Sequence, residues 1–210
     1  MAGSLFRLLS PTDTLVQPWL PAKEAYRTVH VLQGPHGNLF ALVATETGKD
    51  TRGSQPRGEQ AALDGLAFAT YPCPEGTAGD VAYFYASVFG ANTTVQNSCC
   101  YVQLGDGIHQ QKLIFIETPL DSIPSYDGHH FALYVRDTTV FHDSFDKLDS
   151  QGLIFVNPRF SDRVTTRPAA DECGQYRLLK VVGRDGATLV ELEHEVRSPQ
   201  HAAYPFRHAM

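Results

Sequence analysis

Hydrophobic and polar residues alternate along much of this chain with the two-residue period of a half-buried strand, and the period lengthens to that of a helix at two places. Thr28-Val29-His30-Val31-Leu32 and Leu39-Phe40-Ala41-Leu42-Val43 flank the turn-forming residues Gly34-Pro35-His36-Gly37-Asn38, which predicts a β-hairpin. From Glu46 to Glu59 there is almost nothing to bury, and that stretch reads as a linker or mobile loop. A short strand at Leu66–Thr70 comes next, followed by a Pro/Gly loop through Gly79. Val81, Phe84, Tyr85 and Val88 then fall at helical spacing, with Asp80 as the expected cap and Gly90 as the stop. Three strands complete the block, at Thr93–Val95, Cys99–Leu104 and Gln111–Glu117, with a Gly-Asp-Gly turn at 105–107.

The same order then recurs. His129–Val135 predicts a strand and Val140–Gln151 a helix ending at Gly152; strands follow at Leu153–Val156, Gln175–Val182 and Thr188–Glu193. Between the first two of these lies a charged loop, Asn157–Gly174, long enough to fold over a site. Strand, helix, three strands, twice over, is an internal repeat in element order although the residues barely match. The expected architecture is α+β. Tandem βαβββ modules with curved mixed sheets form a cleft, and an N-terminal hairpin is added to them. The boundaries fall at 1–59 for the extension and linker, 60–125 and 126–198 for the modules, and 199–210 for a tail.

Composition narrows the partners. The 210 residues are 42% hydrophobic, enough for a proper core, and carry 17 Lys plus Arg against 23 Asp plus Glu, a formal charge of -6. No basic run forms a footprint for nucleic acid, and no apolar stretch approaches the roughly 20 residues that span a bilayer. Pro11, Asp13, Gln17 and Pro18 interrupt the first 20 residues, which disfavours a secretory signal. A single Arg in that segment is a weak basis for an organelle-targeting one. Cys73, Cys99, Cys100 and Cys173 show no CxxC spacing, so a reduced cytoplasmic setting is the expectation.

Certain segments carry a family likeness. Leu63-Asp64-Gly65-Leu66-Ala67-Phe68-Ala69-Thr70 and the helix Ala82–Ala91 resemble the opening strand and helix of a vicinal-oxygen-chelate module, the glyoxalase, bleomycin-resistance and extradiol dioxygenase type. Gly128-His129-His130-Phe131-Ala132-Leu133-Tyr134-Val135-Arg136-Asp137 resembles the strand that opens a second module. Asp185-Gly186-Ala187-Thr188-Leu189-Val190-Glu191-Leu192 resembles its closing strand. The likeness covers roughly residues 60 to 196 and leaves the hairpin outside.

The resemblance implies a divalent metal, iron, zinc, nickel or manganese, held by inward-pointing residues of the first and last strands of each module. It places His130 and Glu191 together as ligands. The position matching the first module's histidine is Gly65, which can ligate nothing. A third ligand would come from Gln111, Glu117 or His109, which share one face of a regular strand, and spacing prefers none of them. His194, pointing away from Glu191, is a second choice. Tyr134 and Arg177 are candidates to bind an anionic or enolate-like oxygen, and Arg159, at the start of the long loop, to clamp a carboxylate or phosphate. For each of these an ordinary structural role is the competing reading.

A metal-dependent enzyme is the favoured expectation. It would chelate a small oxygenated substrate through two neighbouring oxygens, with lyase or isomerase chemistry in which Glu191 or Glu117 moves a proton beside a carbonyl. A non-haem iron dioxygenase is one alternative. The other is a metal-free module that sequesters a small molecule in the same cleft. The partner in each case is a small molecule, neither nucleic acid nor membrane, and pairing into a homodimer is expected from the resemblance.

Overall fold

In the computed structural model the described residues are 7–9, 29–33, 39–43, 68–105 and 111–204. The chain divides into two compact units, one of residues 1–52 with 57–64 and one of residues 65–210 with 53–56. Gly65, His109, the turn at 34–38, the linker at 46–59 and the end of the tail lie outside the described residues.

In the first unit the expected hairpin is present as β2 (Val29–Gln33) and β3 (Leu39–Val43), paired antiparallel from Val29↔Val43 to Gln33↔Leu39. A strand that the sequence pattern did not reveal, β1 (Arg7–Leu9), extends it to a three-stranded sheet in the order β1-β2-β3.

The second unit holds the repeat. Its first module runs β4 (Phe68–Pro74), α1 (Ala78–Phe89), β5 (Asn92–Gln96), β6 (Cys99–Leu104) and β7 (Gln111–Thr118), with sheet order β4-β7-β6-β5. β4 continues through Pro72 and Pro74, where a loop was expected. The strand stands at the end of the sheet order and pairs only in parallel with β7 there, so the missing proline N–H groups cost no ladder bond. Helix α1 begins earlier than expected, and Asp80 does not cap it. The amide of the buried Ala78, at the first turn, instead donates to Glu117 Oε1 from β7 at 2.9 Å, while Asp80 pairs with Arg184. Gly90 ends the helix in the left-handed region, φ 65°, as its position predicts.

The second module runs β8 (His130–Tyr134), α2 (Thr138–Ser150), α3 (Arg167–Cys173), β9 (Gln175–Val182) and β10 (Thr188–Arg197), ordered β8-β10-β9. The strand expected at Leu153–Val156 is reduced to one bridge, Ile154↔Leu178, in the place that β5 fills in the first module. The two sheets thus share one order, with the last-made strand inside and the first at the end. This is the paired βαβββ architecture. Asp137 caps α2 by accepting from the Val140 amide at 2.8 Å. α3 interrupts what read as a continuous loop; Thr166 accepts from the Ala169 amide at its start and Gly174 closes it at φ 68°.

One core underlies both modules. Val81, Tyr85 and Val88 of α1, Phe141, Phe145 and Leu148 of α2, Phe115 of β7, and Tyr176, Leu178, Leu192 and Val196 of the second sheet are buried together. Burial raises the Cys73 and Cys100 thiols within it to about 11 and about 12, as unreactive core sulfurs. A polar pair joins the modules through this apolar mass. His194 of β10 is fully buried; its Nδ1 lies 2.6 Å from the Leu192 carbonyl, which can only accept. Nε2 is therefore the acceptor for the Tyr85 hydroxyl at 2.6 Å. Both ring nitrogens are satisfied inside the core, which removes His194 from the candidate ligands.

Burial holds the His194 imidazole down at about 4, below the ordinary histidine range near 6.5. Between those values the unfolded chain binds the extra proton and the folded chain does not. The stability contributed is therefore complete above about pH 6.5 and is lost as pH falls toward 4. Replacing the pair with apolar groups, Tyr85→Phe with His194→Leu, is expected to flatten the loss of urea stability between pH 6.5 and 4. Parallel losses in the two proteins would show that another group carries the acid sensitivity.

Candidate functional site

The second sheet has two unlike faces because its strands alternate. Phe131, Leu133, His194, Val196, Tyr176 and Leu178 point to the helices, and between them His130, Tyr134, Glu193, Glu195, Arg197 and Arg177 line the opposite face. His130 lies beside Glu193 in parallel register, Ala132 beside Glu195, and Tyr134 beside Arg197. Tyr134 of β8 and Arg177 of β9 thus share the face of His130.

Arg177 organises that face. Its Nε donates to Asp162 Oδ2 at 3.1 Å and its Nη1 to Glu193 Oε1 at 3.0 Å, while Nη2 pairs with Glu195. Three carboxylates, two from β10 and one from a loop, thus converge on one guanidinium that is 4% exposed. Glu193 is fully buried and takes two further donors, Asn157 Nδ2 at 2.7 Å and the Tyr126 hydroxyl. Burial first, and then the Glu193 carboxylate, push the Tyr126 phenol up to about 12, so it stays protonated as the donor. Glu195 is shared with Arg197, whose Nη1 also donates to the Tyr134 oxygen at 2.6 Å; Tyr134 in turn donates to the Ala203 carbonyl at 2.9 Å. The segment after Asn157 folds back over this network. Phe160 lies 4.2 Å from the Arg177 guanidinium carbon and edge-on to His130. A loop expected to cover a site does cover the sheet, and part of it is the helix α3.

The expected ligands are dispersed. Glu191 is exposed and stands opposite Lys180 of β9, and past it the register of β10 shifts before His194, while Glu193, two residues on, stands beside His130. Gln111 and Glu117 alternate with Ile114 and Ile116 onto the face of β7 that carries Leu113 and Phe115, the face packed under α1. Glu117 is spent there capping that helix. Neither lies on the face of His130. His109 is outside the described residues. Among the described residues no group of three or more His, Cys, Asp or Glu is placed to hold a metal ion. The buried carboxylate nearest His130 has both oxygens engaged by donors, one of them cationic, so this donor set does not fit a divalent metal.

Beside the network the surface opens into a cleft of about 240 Å³, lined by Tyr126, Asp127 and Gly128 before β8 and by Phe155, Asn157, Pro158 and Arg159 after α2. The Asp127 carboxylate is held below its ordinary range by the His129 ring, bonded at 2.6 Å, and by the His129 amide. Glu193, Tyr126, Asn157 and Asp162 escaped the sequence reading, which stopped the last strand at Glu193. Continued to Arg197, the alternation of Glu193, Glu195 and Arg197 with His194 and Val196 marks a polar face.

No family model matches the sequence. No curated protein matches it either. Among solved structures the chain is similar to a possible glyoxalase from Bacillus cereus, at 10% identity over 63% of this chain and 97% of that one, TM-score 0.42. It is similar to lactoylglutathione lyase from Agrobacterium tumefaciens, at 13% over 65% and 95%, TM-score 0.38. A third is a mutant of the fosfomycin resistance protein FosX from Listeria monocytogenes, solved with manganese(II) and a dihydroxypropylphosphonic acid, at 12% over 70% and 99%, TM-score 0.42. Likenesses this distant concern the fold and leave the chemistry to the site's own geometry.

Replacing Arg177 with Met would strand three carboxylates, two of them buried. The expected cost is about 3–5 kcal/mol in urea unfolding at neutral pH, shrinking as acid protonates the carboxylates. A loss under about 1 kcal/mol, the range of an exposed pair, would show that the network is solvated.

Proposed function

We propose that this chain is a metal-free small-molecule-binding module, with a guanidinium rather than a metal ion balancing the carboxylates of its ligand face. One observation carries this. Arg177 meets Glu193, Glu195 and Asp162 at once, and Glu193, the carboxylate beside His130, is saturated by Arg177, Asn157 and Tyr126. Releasing Glu193 to a cation would leave Arg177 buried with a like charge nearby, a penalty that metal coordination would have to exceed.

The cleft next to the network has the mixed lining of a binding site, apolar at Phe155 and Pro158 and polar at Tyr126, Asn157 and Arg159. Its volume of about 240 Å³ lies below the range that encloses drug-sized ligands, which favours a small metabolite. No described helix is long and apolar enough to cross a membrane.

The metal-dependent enzyme keeps one supporting observation, the register that sets the exposed His130 beside Glu193. Elemental analysis separates the two readings, on protein purified without a metal-affinity tag and then offered iron, zinc, nickel and manganese in turn. The expected result is substoichiometric metal throughout. Near-stoichiometric metal, lost on His130→Ala with the fold intact, would overturn the metal-free reading in favour of the enzyme.

A further inference from the structure

Arg159 stands apart from the other arginines near the ligand face. Arg177 and Arg197 are paired with carboxylates, and Arg163 is tied to the carbonyls of Asn157 and Phe160. Among the described residues the Arg159 guanidinium donates only to two backbone carbonyls, Gly128 O at 3.4 Å from Nη1 and Asp127 O at 3.5 Å from Nη2, both at the outer limit of a hydrogen bond. Among the described residues it joins no salt bridge, although two carboxylates lie close by. Both are committed elsewhere: Asp127 to the ring and amide of His129, Glu193 to Arg177, Asn157 and Tyr126. Among the described residues the guanidinium is left without a carboxylate bonded to it, although it shares the cleft with the ionised Asp127.

Its position is prepared from both sides. The Arg159 amide donates to Asn157 Oδ1 at 2.9 Å, and the buried Asn157 is itself anchored to Glu193, so the turn carrying Arg159 is pinned to the sheet. Opposite, Gly128 adopts φ +94°, and a Cβ there would collide with the guanidinium. A residue able to take that conformation and lacking a side chain is what lets the cation lie against the backbone entering β8. Phe155 and Pro158 supply apolar walls beside it.

We propose that this cleft binds a small organic oxyanion, a carboxylate or a phosphoryl group seated on the Arg159 guanidinium, with the apolar part of the ligand against Phe155 and Pro158. The planar fork matches two oxygens of either group, and its bonds to carbonyls are weak enough to be exchanged for charge-assisted ones. The proposal rests on the metal-free reading, because an anion captured by a metal would need no such cation.

Calorimetric titration of the full chain with phenylphosphonate, benzoate and benzyl alcohol tests it. The two anions share a ring and differ in the oxyanion; the alcohol keeps the ring without the charge. Both or either of the anions should bind and the alcohol should not, and the tighter anion identifies the group. Arg159→Met should weaken binding at least about tenfold, and Gly128→Ala should weaken it with Arg159 still present. Unchanged affinity in Arg159→Met, or no binding of either anion up to roughly 10 mM in metal-free wild-type protein, would overturn the proposal alone. Anion binding that survives Arg159→Met and disappears with a chelator would instead overturn the metal-free reading on which it rests.

Discussion

A guanidinium surrounded by three carboxylates is the constraint on which the ligand face depends. Taking any one of these groups out of water costs several kcal/mol, and the cost is met only when all are in place together. Arg177 on β9, Glu193 and Glu195 on β10, and Asp162 on the loop between α2 and α3 therefore fix one another. The register between β9 and β10 at Arg177↔Glu195 and the placement of Phe160 follow from the same arrangement. So does the position of Asn157, and through it the turn that begins the covering loop. The charge pattern is thus structural before it is functional: it decides where the cleft lies and which cation is left over in it.

The two modules share an order of strands but not a division of labour. In the first, the helix-packed face of β7 ends in Glu117, spent on the N-terminus of α1, where Thr77 offers no side-chain cap. Its other face, at Ile114 and Ile116, is apolar. In the second, the corresponding face carries His130, Arg177, Glu193, Glu195 and Arg197, and the strand that would match β5 has shrunk to the bridge at Ile154. The loop released by that loss is the one that folds over Arg177. A repeat in topology has become a chemical asymmetry, with the cleft built almost wholly from one half.

Much of the fold was legible because periodicity reports burial directly. The hairpin, the helices α1 and α2 and the order strand, helix, three strands follow from which positions are apolar, and Gly90 and Gly152 stand at helix ends in conformations few other residues accept. The site was legible only in part. Alternation along one strand puts His130 and Tyr134 on one face, whereas Arg177, on another strand, is a candidate for the cleft without a face assigned. The partner of His130 was misread by two residues, because a motif fixes residue types whereas the bulge in β10 fixes which carboxylate arrives. Gln111 and Glu117 were right about sharing a face and wrong about which face, since alternation cannot say where the helix packs. Tyr126 and Asn157 carried no signal, being single polar residues in loops whose partners lie 67 and 36 positions away.

The bond from Tyr85 to His194 also bears on how the molecule comes apart. It spans 109 residues and lies at the centre of the shared core, with Asp80–Arg184 and the Lys147 Nζ bond to the Ser87 carbonyl as further ties between the modules. Neither module can withdraw without exposing apolar surface and leaving a phenol or an imidazole without its partner. Two halves that look like tandem copies thus share one core, and one cooperative melting step is the expected behaviour. A break in the chain between them would yield complementing fragments rather than two independent domains.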